Sequence, residues 1–171
     1  MKLHEARGKR LFVFDFDDTL VHSEAFVYVN KQDGSRIQMT PADYAVYRPE
    51  SGDQFDYSDF NRMLRNPKII KDNVRLMKLA MRNPTNKVTI LTARALAFPI
   101  RHYFKMEHGI QPYVVALGTG NPQAKSGWIA DHLDKGYTDV FFIDDSPANV
   151  AAVRSLSKQY PDARIRSIIA K

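Results

Sequence analysis

The sequence predicts an α/β protein: a doubly wound parallel sheet, Rossmann-like, with a small insertion after the first strand. Two observations carry that expectation. Short apolar runs alternate with segments of helical spacing, the pattern of βα units stacked on a parallel sheet. Three of the runs end in a polar residue, Asp15, Thr92 or Asp144, and ligands of such sheets bind at the carboxyl ends of strands.

Residues 10–15 read as the first strand. Leu11-Phe12-Val13-Phe14 is uninterrupted by polar residues, as in a strand covered on both faces. Residues 24–66 then form a cap-like or flap insertion within the single domain expected for residues 1–171. Phe26 and Tyr28, then Ile37 and Met39, alternate around Asp33-Gly34, a hairpin signature. Thr40-Pro41-Ala42-Asp43 is a helix start, with an N-cap hydroxyl, proline at the first position and an acid at the third. Tyr44, Tyr47, Phe55, Tyr57 and Phe60 follow among polar residues, Pro49 and Gly52.

Ile70, Val74, Met77 and Met81 lie at helical spacing, and Asn83-Pro84 stops that helix. Residues 88–91 make a short strand ending at Thr92. Pro99 opens a helix that Gly109 closes. Residues 113–117 are a further strand. A loop then leads to a helix around 125–133, and residues 140–143 form a strand ending in Asp144-Asp145. Ser146-Pro147 starts another helix, and 164–169 form the last strand.

The 171 residues fit one domain, and at 44% hydrophobic they can build a core. The absence of cysteine excludes disulfides, thiolate metal sites and cysteine nucleophiles. No apolar run is long enough for a membrane span. The basic residues 1–10 precede only four apolar residues, too few for a secretory leader. A cytoplasmic protein without membrane partners is the resulting expectation. Net charge is +6. Five of the 19 acids sit at two strand ends (Asp15, Asp17, Asp18, Asp144, Asp145), leaving 14 against 25 Lys and Arg. A field of that sign attracts phosphoesters, nucleic acid and acidic peptides, and it also serves solubility.

Carboxylates delivered by buried strands are costly unless a cation or dense hydrogen bonding compensates them. Two apolar strands ending in acids therefore suggest one divalent cation held between them. Gly118-Thr119-Gly120-Asn121-Pro122-Gln123-Ala124-Lys125-Ser126 is a near miss for a P-loop. Ala124 stands where glycine is required, and the first glycine is out of place.

Asp15-Phe16-Asp17-Asp18-Thr19-Leu20 resembles the first motif of the haloacid dehalogenase superfamily. Thr92 after Val88-Thr89-Ile90-Leu91 resembles the second, Lys125 at a helix start the third, and Asp144-Asp145 the fourth. The resemblance implies a Mg²⁺-dependent phosphomonoesterase working through an aspartyl-phosphate. Asp15 would be the nucleophile and Asp17 the general acid and base. Thr92 and Lys125 would bind the phosphoryl group. Asp15, Asp17 (through its carbonyl), Asp144 and Asp145 would form the metal site, with Asp145 either in the ion's water shell or orienting Lys125. An acid at position 17 suits phosphoryl transfer to water, because a leaving alkoxide needs a proton. Dehalogenases and transport ATPases of the superfamily lack it.

Thr92-Ala93-Arg94 and the double aspartate resemble the phosphatase half of bacteriophage polynucleotide kinase–phosphatases. That likeness implies nucleotide or nucleic-acid 3′-phosphate ends as substrates, with Arg94 contacting substrate at the rim. The alternative resemblance is to serine phosphatases of the RNA polymerase C-terminal repeat, through Asp15 to Ser23 and Ile143 to Pro147. Against it, Asp145 stands where those enzymes carry asparagine, and there is no room for their β-insertion before Lys125. A non-catalytic phosphate-binding module is the third reading. Asp18 reads as a solvated turn residue and Thr19 as a brace of the strand-end turn. Asn149 reads as support for the Asp145 loop, and Lys135 as too late on its helix to serve as the cation. The five histidines show no ligand spacing.

Overall fold

The computed structural model describes residues 8–171; His4 and most of the basic amino-terminal stretch lie outside them. In chain order the elements are β1 (Lys9–Phe14), β2 (Val21–His22), β3 (Val27–Asn30), β4 (Arg36–Met39), α1 (Pro41–Val46), β5 (Gln54–Asp56), a 3-10 turn (Ser58–Asn61), β6 (Lys68–Ile69), α2 (Lys71–Met81), β7 (Asn86–Thr92), α3 (Phe98–His108), β8 (Tyr113–Ala116), α4 (Pro122–Asp134), β9 (Tyr137–Asp144), α5 (Pro147–Ser155), a second 3-10 turn (Leu156–Lys158) and β10 (Arg164–Ile169).

The central sheet has five parallel strands in the order β10-β9-β1-β7-β8. The chain runs outward from β1 through β7 to β8, then returns to the other side of β1 for β9 and β10. The switch point therefore falls between β1 and β9, the strands that end next to Asp15 and in Asp144. In an open parallel sheet this crevice is where ligands bind. The two-residue side-chain period divides the core. Phe14, Ile90, Phe141 and Ile143 pack with Val74 and Met77 of α2 and Ile100 and Phe104 of α3. Leu11, Val13, Val140 and Phe142 pack on the opposite face with Ile129 of α4 and Val150 and Val153 of α5. Because both faces of β1 are covered beyond Arg10, residues 11–14 are apolar throughout rather than alternating.

Two strands are longer than the sequence suggests. β7 begins at Asn86 and β9 at Tyr137. The extra residues of β9 include Asp139, which accepts an ion pair from Arg166 of β10 at 3.0 Å and lies 3.6 Å from Arg10 of β1. Cross-strand charge pairing, invisible to periodicity, extends the ladder there.

The insertion is bracketed by a two-residue antiparallel pair, Val21↔Ile69 and His22↔Lys68, joining β2 to β6. Between them β4-β3-β5 form an antiparallel sheet. The expected β3–β4 hairpin is present, turning at Gly34 (φ 84°). Thr40 and Asp43 make the expected reciprocal capping box of α1. β5 is not legible in the sequence: three residues beside Gly52 and Asp53 are too short to show a period, and pairing with β3 defines the strand.

Candidate active site

Asp15 follows β1 directly. Its N–H donates to the Ile143 carbonyl at 3.0 Å, so the ladder between β1 and β9 continues one residue and holds Asp15 beside Asp144. The chain then turns sharply. Leu20 and Val21 N–H groups both donate to the Phe16 carbonyl, and Asp18 takes φ 57°. Aspartate tolerates this left-handed conformation better than a branched or bulky residue. Asp18 also accepts a hydrogen bond from His22 Nδ1 at 2.7 Å, which suits the turn role expected of it. Thr19, fully buried, is the brace: its hydroxyl donates to Asp15 Oδ2 at 3.0 Å and accepts from the Asp145 N–H at 3.1 Å. Asn73 of α2 in turn donates to the Thr19 carbonyl at 2.8 Å.

Lys125 lies in the first turn of α4, capped by Asn121 with Pro122 at the start. A cation at a helix amino terminus is disfavoured by the helix dipole, so the helix does not account for its placement. Two carboxylates do. The Lys125 ammonium, 3% exposed, donates to Asp15 Oδ1 at 2.6 Å and Asp144 Oδ2 at 2.7 Å. Asp144 is completely buried and also accepts from the Ser146 N–H at 2.8 Å and from Asn149 Nδ2 at 3.1 and 3.0 Å. Asn149 thus grips Asp144 rather than supporting the Asp145 loop. It sits in the first turn of α5, close enough to reach back to the strand end.

Burial pushes the Asp15 carboxyl up to about 7; Lys125 opposes this and the Asp144 charge adds to it. Asp145 is pushed to about 6, chiefly by burial and then by Asp144 and Asp18. Burial pulls the Lys125 ammonium down, but Asp15 and Asp144 outweigh it and hold it above its ordinary value. The site thus carries more negative charge than one ammonium neutralises. Carboxylate oxygens of Asp15, Asp144 and Asp145 all lie within 4.8 Å of one another, a grouping that can hold a metal ion. These are hard oxygen donors, as hard divalent cations require. The Asp17 side chain stands outside that grouping.

Asp17 is instead bound to Arg94. Arg94 Nε donates to Oδ2 at 2.8 Å and Nη2 to Oδ1 at 2.6 Å, a bidentate pair. Arg94 also donates to the Phe60 carbonyl at 3.0 Å and to Ser23 Oγ at 3.2 Å, with its guanidinium near the Phe16 and Phe60 rings. At 5% exposure it is not the rim residue expected from the sequence. It joins the core's second strand end to the insertion and to Asp17. The only sequence signal was its place two residues after Thr92. Thr92 ends β7 almost fully buried, and its hydroxyl accepts the Arg94 N–H at 3.2 Å.

Asp15, Asp17, Thr92, Arg94, Lys125, Asp144 and Asp145 all line one cavity of about 580 Å³. The insertion supplies another part of its wall, including Tyr44, Tyr57 and Phe60. A second cavity, of about 390 Å³, lies at the opposite end of the sheet beside Lys87, Tyr113 and Tyr137, with no carboxylate in its lining. Lys135 is exposed at the end of α4, away from the cluster. Among the described residues no helix is long and apolar enough to cross a membrane. No family model, curated protein or solved structure matches this chain.

The raised carboxyls give a pH prediction. The folded state binds protons on Asp15 and Asp145 that the unfolded chain releases near 3.8. Stability in chelator should therefore fall as pH rises from about 4 towards about 7. Divalent cations should restore more of it at pH 7.5 than at pH 5. Thermal unfolding of the protein and of Asp145→Asn across that range checks this; the variant should show a shallower decline.

Proposed function

We propose that this protein is a Mg²⁺-dependent phosphomonoesterase of the haloacid dehalogenase type, acting through an aspartyl-phosphate on Asp15. The observation that carries the reading is a buried carboxylate at the sheet's switch point, held by an ammonium and flanked by two further carboxylates. Asp15 presents one oxygen to Lys125 and the other to Thr19, and each oxygen keeps a lone pair for attack. The Asp15 oxygen forms a bond to phosphorus as the bond to the leaving oxygen breaks. Asp17, entering the step protonated with one oxygen released from Arg94, would give the leaving alkoxide that proton and later take one from the water that hydrolyses the acyl phosphate. Inorganic phosphate and free Asp15 result. Thr92 and Lys125 bind the phosphoryl oxygens. Arg94 orients Asp17 in this reading instead of reaching to substrate at the rim. A magnesium ion held by Asp15, Asp144 and Asp145 would supply positive charge where an anionic nucleophile meets an anionic ester.

Nucleotides and nucleic-acid 3′-phosphate ends are the substrates we assign. The excess of basic residues outside the strand-end clusters and the roomy cavity support them. Hydrolysis of an aryl phosphate should require a divalent cation and stop on chelation; turnover that survives exhaustive chelation overturns the metal site. Specificity constants for a 3′-phosphorylated oligonucleotide, a nucleoside monophosphate and a phosphoserine peptide at two salt concentrations test the substrate. The oligonucleotide should be preferred at low salt and lose most at high salt, because each phosphate contact releases counterions. Preference for the peptide would move the protein to the serine phosphatases.

A further inference from the structure

The catalytic groups line only part of the 580 Å³ cavity, whose volume is far larger than a phosphoryl group. Its wall from the insertion is mostly apolar and aromatic: Val27, Pro41, Tyr44, Tyr57 and Phe60, with Asn61 beside them. We propose that Tyr44 and Tyr57 form a subsite for a planar heteroaromatic ring, such as a nucleobase, carried by the leaving alcohol. This rests on the phosphomonoesterase reading and adds what that site recognises.

The rings of Tyr44, Phe55 and Tyr57 pack together, with Tyr44 edge-on to Tyr57 at 5.7 Å and Phe55 stacked on Tyr57 at 6.2 Å. A ring serving only this small core would be covered by it. Tyr57 is 44% exposed nonetheless, and it lines the cavity that ends at Asp15. The packing fixes the ring in place before any ligand arrives, which lowers the entropic cost of stacking on it. Phe60 is a poorer candidate, because the Arg94 guanidinium already lies over its ring.

The hydroxyls of Tyr44 and Tyr57 hydrogen-bond each other. One O–H hydrogen of the pair is left over and can address a ring heteroatom. Burial and the Tyr44 hydroxyl push Tyr57 up to about 12, so the Tyr57 hydroxyl stays protonated at neutral pH. Gly118 and Gly120 also line the cavity and add no side chain to it, leaving room for a flat group. An aromatic face with one polar edge fits a heteroaromatic ring better than a sugar, whose hydroxyls would be left facing carbon.

The test compares two phosphate esters of a ribose 3-hydroxyl: adenosine 3′-monophosphate and methyl riboside 3-phosphate, whose leaving alcohol carries a methoxy group in place of the base. The wild-type protein should prefer the adenosine ester roughly tenfold in kcat/KM, the scale of one base–aromatic stack. Tyr57→Leu should bring the ratio close to one, losing more on the adenosine ester than on the riboside. Tyr57→Phe, which keeps the ring, should retain most of the preference. A wild-type ratio near one, or equal losses on both esters in Tyr57→Leu, overturns the subsite while leaving the phosphatase reading intact. If neither ester is hydrolysed, the phosphatase reading fails, and calorimetric titration with adenosine decides the subsite alone. Binding to wild type that is lost in Tyr57→Leu upholds it; no binding to wild type overturns it.

Discussion

Asp15→Asn should leave the protein folded and without turnover. An amide is no nucleophile, and loss of a catalytic nucleophile in other enzymes costs about six orders of magnitude. The fold should tolerate the change well, because the carboxyl it removes is already pushed to about 7 by burial. The amide is nearly isosteric: its oxygen can still accept from Lys125, while its NH2 takes the place of the oxygen that accepts from Thr19 and would donate to that hydroxyl instead. Circular dichroism should be unchanged, and stability in chelator at pH 7.5 should hold or rise. In the wild-type protein, rapid quenching followed by mass spectrometry of peptides should find a phosphate adduct on Asp15. An adduct on another residue would move the nucleophile, and an active Asp15→Asn would remove the mechanism.

Lys125→Ala should lower turnover by about two to three orders of magnitude, the scale of one preorganised charge lost from a transition-state site. The geometry adds a second effect. The ammonium touches Asp15 and Asp144 at once, and its removal leaves two buried carboxylates facing each other without it. Removing one partner of a buried ion pair costs about 3–5 kcal/mol. The variant should accordingly be markedly less stable in chelator and regain part of that loss in millimolar magnesium. Lys125→Met, which keeps the aliphatic stem, provides the folded comparison where alanine unfolds. Lys135→Ala should change neither rate nor stability, since that side chain is exposed at the far end of the helix. The reverse result for the two lysines would displace the cation from the site.

How much of this was legible in the sequence follows from what each feature depends on. The parallel sheet was legible because residues 11–14 of β1 and 140–143 of β9 are covered on both faces and so read as unbroken apolar runs. The carboxylates at their ends stood out against those runs. The hairpin at Asp33-Gly34 and the Thr40 capping box were legible because turn and cap chemistry is local. β5 and the β2–β6 pair were not, because strands of two or three residues are defined by their partners. The Arg94–Asp17 pair joins residues far apart in sequence, and nothing local distinguishes Arg94 from a surface arginine. Asn149 was assigned to the adjacent Asp145 loop for a similar reason: sequence proximity suggested one partner, and the helical turn delivers it to another. Thr19 was read correctly as a brace because its partner Asp15 lies one short turn away.

The two-residue ladder that closes the insertion has a consequence for how this protein can be altered. Val21 and Ile69 are paired across one strand spacing, so the segment between them leaves and rejoins the core at nearly the same point. Such a segment can be excised and its ends joined by a tight turn, or exchanged for an unrelated loop, without rethreading the parallel sheet. The cost of exchange falls on Arg94, whose guanidinium takes one of its acceptors from Phe60. A graft that supplied a carbonyl there would preserve the orientation of Asp17 while presenting a different surface to incoming molecules. The strand-end cluster and the insertion are in that sense separable parts, coupled through Arg94 and through Leu64, which packs on the core.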